Sequence, residues 1–227
     1  MPLRVLILAG GDSTRWAGHL GVRKHLIPIL GEPLIHRTVR LLHELHVYDV
    51  RIVCRVQDQF DYVPPGAQWT LMRTVDREWE QEQESSRHAW SPDGRTLILY
   101  GDCHFTAELL AAMVRNLVPD WRVYGRWVGS TLTGKTYGEM WGWLFRPEHH
   151  AEIDAARSVA IAAREDGVTK RCLGWEVLRA AYGYDLNVHG QSPPRRFVEW
   201  EDATDDFDFP VDWDIWSELN RDLWVAA

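Results

Sequence analysis

The sequence predicts an α/β fold, and three observations predict it. A solid apolar run, Val5 to Leu8, stops at Gly10-Gly11, as a fully buried strand does. Ile35, Val39, Leu42 and Leu45 then recur at helical spacing. A β-branched stretch, Val50 to Val56, follows as the next strand. Strand, loop, helix, strand is the opening of a parallel sheet with crossover helices.

The elements read in order as follows. Asp12 to Arg23 is a polar loop, and Ile27 to Leu30 a short apolar stretch closed by a Gly31-Glu32-Pro33 turn. Residues 34–46 form the first helix. Asp76 to Arg87 is charged and poor in apolar residues, which fits a solvated helix or a loop, and its acidic run Glu78 to Glu84 is expected to face water. Leu97 to Tyr100 is a second buried-type strand, ending at Gly101-Asp102. Glu108 to Val118 is a helix with Leu109, Ala112, Met113 and Leu117 on one face. Trp121 to Val128 and Met140 to Phe145 alternate as strands. Glu148 to Asp166 is helical by its alanine content. Pro193-Pro194 marks a loop, Phe197 to Trp200 a late strand and Val211 to Leu223 a last helix. With no internal repeat and no clear linker, residues 1–227 read as one domain.

Composition narrows the function. Apolar residues at 45% and charged residues at 26% are ordinary for a soluble globular chain. Thirteen tryptophans are not; some belong to the core, and others lie in polar, glycine-containing stretches where a ring suits stacking on a ligand. The net charge of −8 argues against a broad nucleic-acid surface, unless Arg122, Arg126, Arg195 and Arg196 gather into a basic patch. Three cysteines, far apart and without CxxC spacing, disfavour a disulfide framework or a zinc knuckle and suit a reduced, cytoplasmic setting. The first apolar run is too short for a membrane span or a secretory signal.

The first loop carries the chemistry. Leu8-Ala9-Gly10-Gly11-Asp12-Ser13-Thr14-Arg15 is followed by Lys24 and then by Pro28-Ile29-Leu30-Gly31-Glu32-Pro33-Leu34. Two glycines after a buried strand allow close approach of a ligand to the backbone. Backbone N–H groups and the Ser13 and Thr14 hydroxyls suit phosphate oxygens. Arg15 and Lys24 put positive charge where a leaving pyrophosphate would gather negative charge. Two glycines alone would signify only a turn. The whole pattern resembles the sugar-phosphate nucleotidyltransferases, whose motif is LAGGxSTR, then a lysine, then P-x-x-G-x-P-L; the likeness spans residues 6–35.

That resemblance implies a nucleotide-diphospho-sugar transferase fold of GT-A-like, Rossmann-like type: a three-layer α/β/α sandwich around a mixed, mostly parallel sheet. It implies a nucleotide site at Leu8, Ala9, Gly10, Gly11, Ser13 and Thr14, with Arg15 and Lys24 catalytic. Leu97 to Asp102 resembles the family strand that delivers a metal-binding aspartate. Thr204-Asp205-Asp206-Phe207-Asp208-Phe209-Pro210 resembles the segment that delivers a second. Asp102 and Asp208 are therefore the expected Mg²⁺ ligands, with Mn²⁺ as a substitute and Asp206 as the competitor for Asp208. The expected reaction joins a nucleoside triphosphate to a small phosphorylated acceptor, most simply a sugar 1-phosphate, with release of pyrophosphate. The alternative is a glycosyltransferase that consumes a nucleotide-sugar. Residues 57–95 and 146–195 match nothing nameable, so the acceptor stays open. Residues 129–200 are expected to receive it, with Lys135 and Glu139 as contacts.

Other motifs carry less. Gly129 to Thr136 fits GxxxxGK[ST], but Tyr137 to Trp143 makes a poor helix, and a P-loop needs a helix N-terminus for its phosphates. His149-His150 opens a helix with no third ligand at metal spacing. His36, His43 and His46 fit a solvated helix face. Trp141 and Trp143 suit core packing before ligand stacking.

Overall fold

The computed structural model describes residues 1–11, 14–73, 81–188, 191 and 194–222. In chain order it contains β1 (Leu3–Leu8), β2 (Pro28–Ile29), β3 (Glu32–Pro33), α1 (Leu34–Glu44), β4 (Val50–Cys54), α2 (Gln59–Tyr62), β5 (Gln68–Leu71) and α3 (Glu82–Ser86). Then come β6 (Arg95–Tyr100), β7 (Cys103–His104), α4 (Ala107–Arg115), β8 (Arg122–Val128), β9 (Tyr137–Phe145), α5 (His150–Glu165), α6 (Gly174–Ala181), β10 (Phe197–Glu199), β11 (Asp205–Asp206) and α7 (Pro210–Leu219).

Seven strands share one sheet in the order β10-β8-β9-β6-β1-β4-β5. β1 lies at its centre, parallel to β4 with Val5 beside Val50, and parallel to β6 with Val5 beside Leu97. Only β9 runs antiparallel within the sheet, so it is mixed and mostly parallel, as expected. Successive side chains of a strand point to opposite faces, and both faces here are apolar. Val5 and Ile7 of β1 pack with Ile35, Val39 and Leu42 of α1 and Leu109, Leu110 and Met113 of α4. Leu6, between them, joins Ile153, Ala156 and Ala160 of α5 and Val177 and Leu178 of α6 on the other face. Each fully buried aliphatic side chain contributes about 1.5–3 kcal/mol. The result is the three-layer α/β/α sandwich. A smaller cluster, Trp16, Ile27, Ile29, Leu34, Phe207, Trp213 and Trp216, fastens the first loop to α7.

One expectation changes, and others hold. Trp141 and Trp143 are core, at 0% and 1% exposure, as anticipated. The part of the acidic run that is described, however, is not solvated: Gln81 and Gln83 are buried, and Glu82 is pulled inward by hydrogen bonds. The four arginines form no unbalanced basic patch: three of them converge on Asp120, and the fourth is buried. Arg126 is fully buried beside Asp205, and Arg196 lies 2.8 Å from Asp120, which Arg122 and Arg195 also approach. Finally, Gly129 to Thr136 joins the antiparallel strands β8 and β9 and leads into a strand, so no helix N-terminus is present to make it a P-loop. Among the described residues no helix is long and apolar enough to cross a membrane.

Candidate nucleotide-transfer site

The parallel strands end on one edge of the sheet, where open α/β sheets bind ligands. Leu8 ends β1, and its carbonyl accepts a hydrogen bond from Gly101 N at 2.8 Å; Ala9 N donates to Val53 O at 2.8 Å. These bonds fix the backbone from which the glycine loop departs. Gly10 faces the Met72 thioether so closely that a Cβ would collide with it, whereas a Cβ on Gly11 would meet nothing. Gly10, Gly11, Thr14 and Arg15 border a cavity of about 610 Å³. That is ample for a nucleotide-sized ligand. Ser13 lies outside the described residues.

Two short strands bring the acidic residues together. β7, just past Asp102, pairs antiparallel with β11, with Asp205 beside His104 and Asp206 beside Cys103. Phe207 N donates to Asp102 O at 3.0 Å, which sets Asp208 next to Asp102 although they are distant in sequence. Lys24 stands in a single 3₁₀ turn, Lys24–Leu26, and its stem is buried. Its Nζ donates to Asp102 Oδ2 at 2.5 Å and to Asp208 Oδ1 at 3.3 Å. Arg15 Nη1 lies 2.8 Å from Asp208 Oδ2, and its guanidinium stacks 5.2 Å from the Phe209 ring centre. Arg15, Lys24, Asp102 and Asp208, singled out in the sequence, thus form one contiguous charged group.

The electrostatics are unequal. Burial opposes ionisation of Asp102, but the Lys24 ammonium outweighs it and holds that carboxyl below its ordinary range. Burial, together with the negative charge of Asp102 and Asp206, pushes the Asp208 carboxyl up despite Lys24 and Arg15. Burial works against the charge on Lys24, yet Asp102 and Asp208 raise its proton affinity, so it stays an ammonium. The adjoining His25 is buried and pushed down to about 4, so it is neutral.

Lys135 forms a second box. Its Nζ lies 2.9 Å from Asp206, 3.1 Å from Glu139, 3.5 Å from Asp212 and 3.9 Å from Asp205. The side chain is 4% exposed. Four carboxylates occupy an ammonium with three donors, which suits it to hold acids in place rather than to meet an acceptor. Glu139 lines the cavity, and burial with the nearby Asp206 pushes its carboxyl up to about 9. Asp212 Oδ2 accepts from the N–H groups of Asp208 and Phe209, at 3.0 and 2.9 Å, and so caps α7. The cap is therefore none of the three acids Asp205, Asp206 and Asp208.

The far wall is built from residues that no motif in the sequence marks. Glu82 Oε2 accepts from Tyr100 Oη at 2.7 Å and from Gly174 N at 2.8 Å, inside the cavity also bordered by Gln81, Ser85 and Trp175. Burial pushes its carboxyl up to about 7. Its signal lay hidden in a run that reads as solvated charge. The partner that draws it inward, Tyr100, is 18 residues away on β6.

Comparisons with known proteins identify the family and the fold. Residues 5–164 match the model of the MobA-like NTP transferase domain. Among solved structures, the chain is similar to a protein described as a glucose-1-phosphate thymidylyltransferase from Bacillus anthracis, with 16% identity and a TM-score of 0.60 over 97% of this chain and 96% of that one. It is also similar to the CTP:phosphocholine cytidylyltransferase of Streptococcus pneumoniae, with 15% identity and a TM-score of 0.56 over 96% and 99%. At these identities the likeness shows the fold. A search of curated proteins found no match. Asp205 to Asp208 lie beyond the matched residues, so their place in the site rests on the geometry above.

Proposed function

We propose, on the premise that this chain belongs to the MobA-like NTP transferase family and is a transferase of nucleotidyl groups, that it joins a nucleoside triphosphate to a phosphorylated acceptor in a magnesium-dependent reaction. A phosphate oxygen of the acceptor attacks the α-phosphorus. The bond from that phosphorus to the oxygen bridging to the β-phosphate breaks, and pyrophosphate departs with the electron pair. The observation that carries the reading is Lys24, clamped between Asp102 and Asp208 at the mouth of the glycine-lined cavity.

This chemistry depends on positioning and charge neutralisation more than on covalent help. Gly10 and Gly11 admit the nucleotide to the backbone, with Leu8 and Ala9 beneath and the Thr14 hydroxyl, joined by Ser13, on its phosphates. Arg15, more than half exposed, turns from Asp208 to the departing pyrophosphate. Lys24 stays charged and offsets the negative charge that develops. Lys135 braces Asp206 and Glu139, and Glu139 faces the acceptor.

The acidic residues fit a divalent ion. Asp102 and Asp208 converge on one cation already, and the raised proton affinity of Asp208 marks negative charge not fully balanced. Among the described residues no three His, Cys, Asp or Glu side chains are grouped as a ready metal site. Mg²⁺ needs only one or two carboxylates, since it takes the rest of its octahedron from phosphates and water. When bound, it would polarise the phosphate oxygens and neutralise their charge. The match to a domain that uses nucleoside triphosphates supports this reading over the glycosyltransferase alternative.

The test is a matrix of nucleoside triphosphates against phosphorylated acceptors, with Mg²⁺, scored for pyrophosphate. Release that requires both partners is expected. No pyrophosphate in any combination, with a nucleotide-sugar instead cleaved to a nucleoside diphosphate, would overturn the reading.

A further inference from the structure

A second cavity, of about 750 Å³, opens from the first where Arg15, Asp208 and Glu139 border both. Its charge is opposite to that of the molecule. The chain carries −8 overall, yet five cations line this cavity: Arg15, Arg164, Lys170, Arg171 and Arg179. The acidic residues that line it are Glu139 and Asp208. Both are already engaged, Glu139 by Lys135 and Asp208 by Lys24 and Arg15.

The excess is concentrated at one end. Arg179 has Glu176 at 3.0 Å. Lys170 and Arg171, on the loop between α5 and α6, form no ion pair among the described residues. Burial lowers the proton affinity of Arg179, and the charge of Arg171 lowers it further against the pull of Glu176. At this end the positive charge of Lys170 and Arg171 is paired by no carboxylate among the described residues, although the protein has acidic residues to spare. Trp127 and Trp175 wall the same cavity, with ring centres 5.4 Å apart. A cationic end, an aromatic wall and continuity with the transfer site describe a pocket for the tail of an acceptor.

We propose that the acceptor carries a second anionic group, a carboxylate or a phosphate, besides the phosphate that reacts, and that Lys170 and Arg171 receive it. This rests on the nucleotidyltransferase reading for the word acceptor, but not for the binding itself. The reacting phosphate sits by Arg15, the body of the molecule passes Trp175, and the second anion reaches the α5–α6 loop. The acceptor class is therefore a phosphate monoester with a second acidic group. A simple neutral sugar 1-phosphate lacks the group that this pocket is charged to hold.

The experiment compares matched compounds that differ at one position. Glucose 1-phosphate, glucuronic acid 1-phosphate and glucose 1,6-bisphosphate are titrated into the protein by calorimetry, with and without Lys170→Ala/Arg171→Ala. Binding needs no turnover, so the result stands apart from the pyrophosphate matrix. Two exposed ion pairs predict up to about tenfold tighter binding of the two doubly acidic compounds. That margin should shrink with added salt and vanish in the double variant. The carboxylate and bisphosphate arms show which anion is preferred. Equal binding of all three compounds, no binding of any, or a margin that survives the double substitution overturns the proposal. Pyrophosphate chemistry failing while the margin persists would overturn the proposed function alone.

Discussion

Lys24→Met removes an ammonium and keeps the apolar stem that fills its channel. In the native protein that ammonium balances Asp102 at 2.5 Å and Asp208 at 3.3 Å, and its side chain is 7% exposed. Removing one partner of a fully buried pair costs about 3–5 kcal/mol, because the other charge is left unpaired. The two aspartates retain 19% and 25% exposure, and Arg15 still reaches Asp208, so water and Arg15 recover part of this. A loss of about 2–3 kcal/mol is expected in metal-free buffer, scaled down from the buried-pair figure. For a chain of this size each kcal/mol moves the melting temperature by about 2–4 °C. A divalent cation should then restore the variant far more than it stabilises the native protein, since it replaces the missing charge between the same carboxylates. Turnover should fall by about 10²–10³, the cost of losing one charge-stabilising donor. The assay is urea unfolding and pyrophosphate release, each with EDTA and with excess Mg²⁺. A loss below about 1 kcal/mol, on the buried-pair scale, with no metal-dependent recovery would refute the view that Lys24 balances a cation-binding pair.

Two other tests bear on the remaining walls of the site. Asp102→Asn and Asp208→Asn should each abolish Mn²⁺-dependent nucleotide binding, measured by fluorescence titration, while Asp206→Asn should chiefly lower stability by releasing Lys135; the reverse ranking of Asp206 and Asp208 would exchange their roles. Glu82 has a carboxyl raised to about 7 in the fold against about 4.3 in an unfolded chain, so the folded state binds the extra proton between those values, and the stability it contributes is complete at low pH and lost as pH rises through 7. Glu82→Gln keeps an acceptor for Tyr100 Oη and Gly174 N, and should flatten that decline and stabilise the protein at pH 8 by at most about 3–4 kcal/mol; parallel stability–pH curves for the two proteins would contradict this.

Much of the fold was legible because both faces of the sheet are covered. Continuous apolar runs such as Val5 to Leu8 and Leu97 to Tyr100 have no other use in a chain of this composition. β5 escaped notice because Gln68, Trp69 and Leu71 are exposed on an edge, where the apolar pattern of a strand is not required. β7 and β11, two residues each, carry no periodicity, yet they set Asp102 beside Asp208. Arg15, Lys24, Asp102 and Asp208 were nameable from motif order; that Lys24 would hold both acids at once was not, since it follows from pairing across distant segments. The expectation that Lys135 contacts the acceptor rests on position alone, since its segment lies opposite the nucleotide in the resembled fold. Its enclosure depends on Asp205, Asp206 and Asp212, which sequence spacing cannot place around it.

The clasp between β7 and β11 also orders events during synthesis. Asp208 is translated 184 residues after Lys24, while β1, β4 and β6 are already on hand to pair. At about 5–20 residues per second, the nascent chain spends many seconds with Lys24 and Asp102 made and Asp208 still to come. During that interval Trp16, Ile27, Ile29 and Leu34 lack the Phe207, Trp213 and Trp216 that later cover them. A ribosome-bound intermediate would expose this apolar floor and would be unable to bring Asp208 to Lys24 and Asp102. Competence for transfer should therefore appear abruptly, with the emergence of the segment around residues 205–219, rather than grow in proportion to chain length.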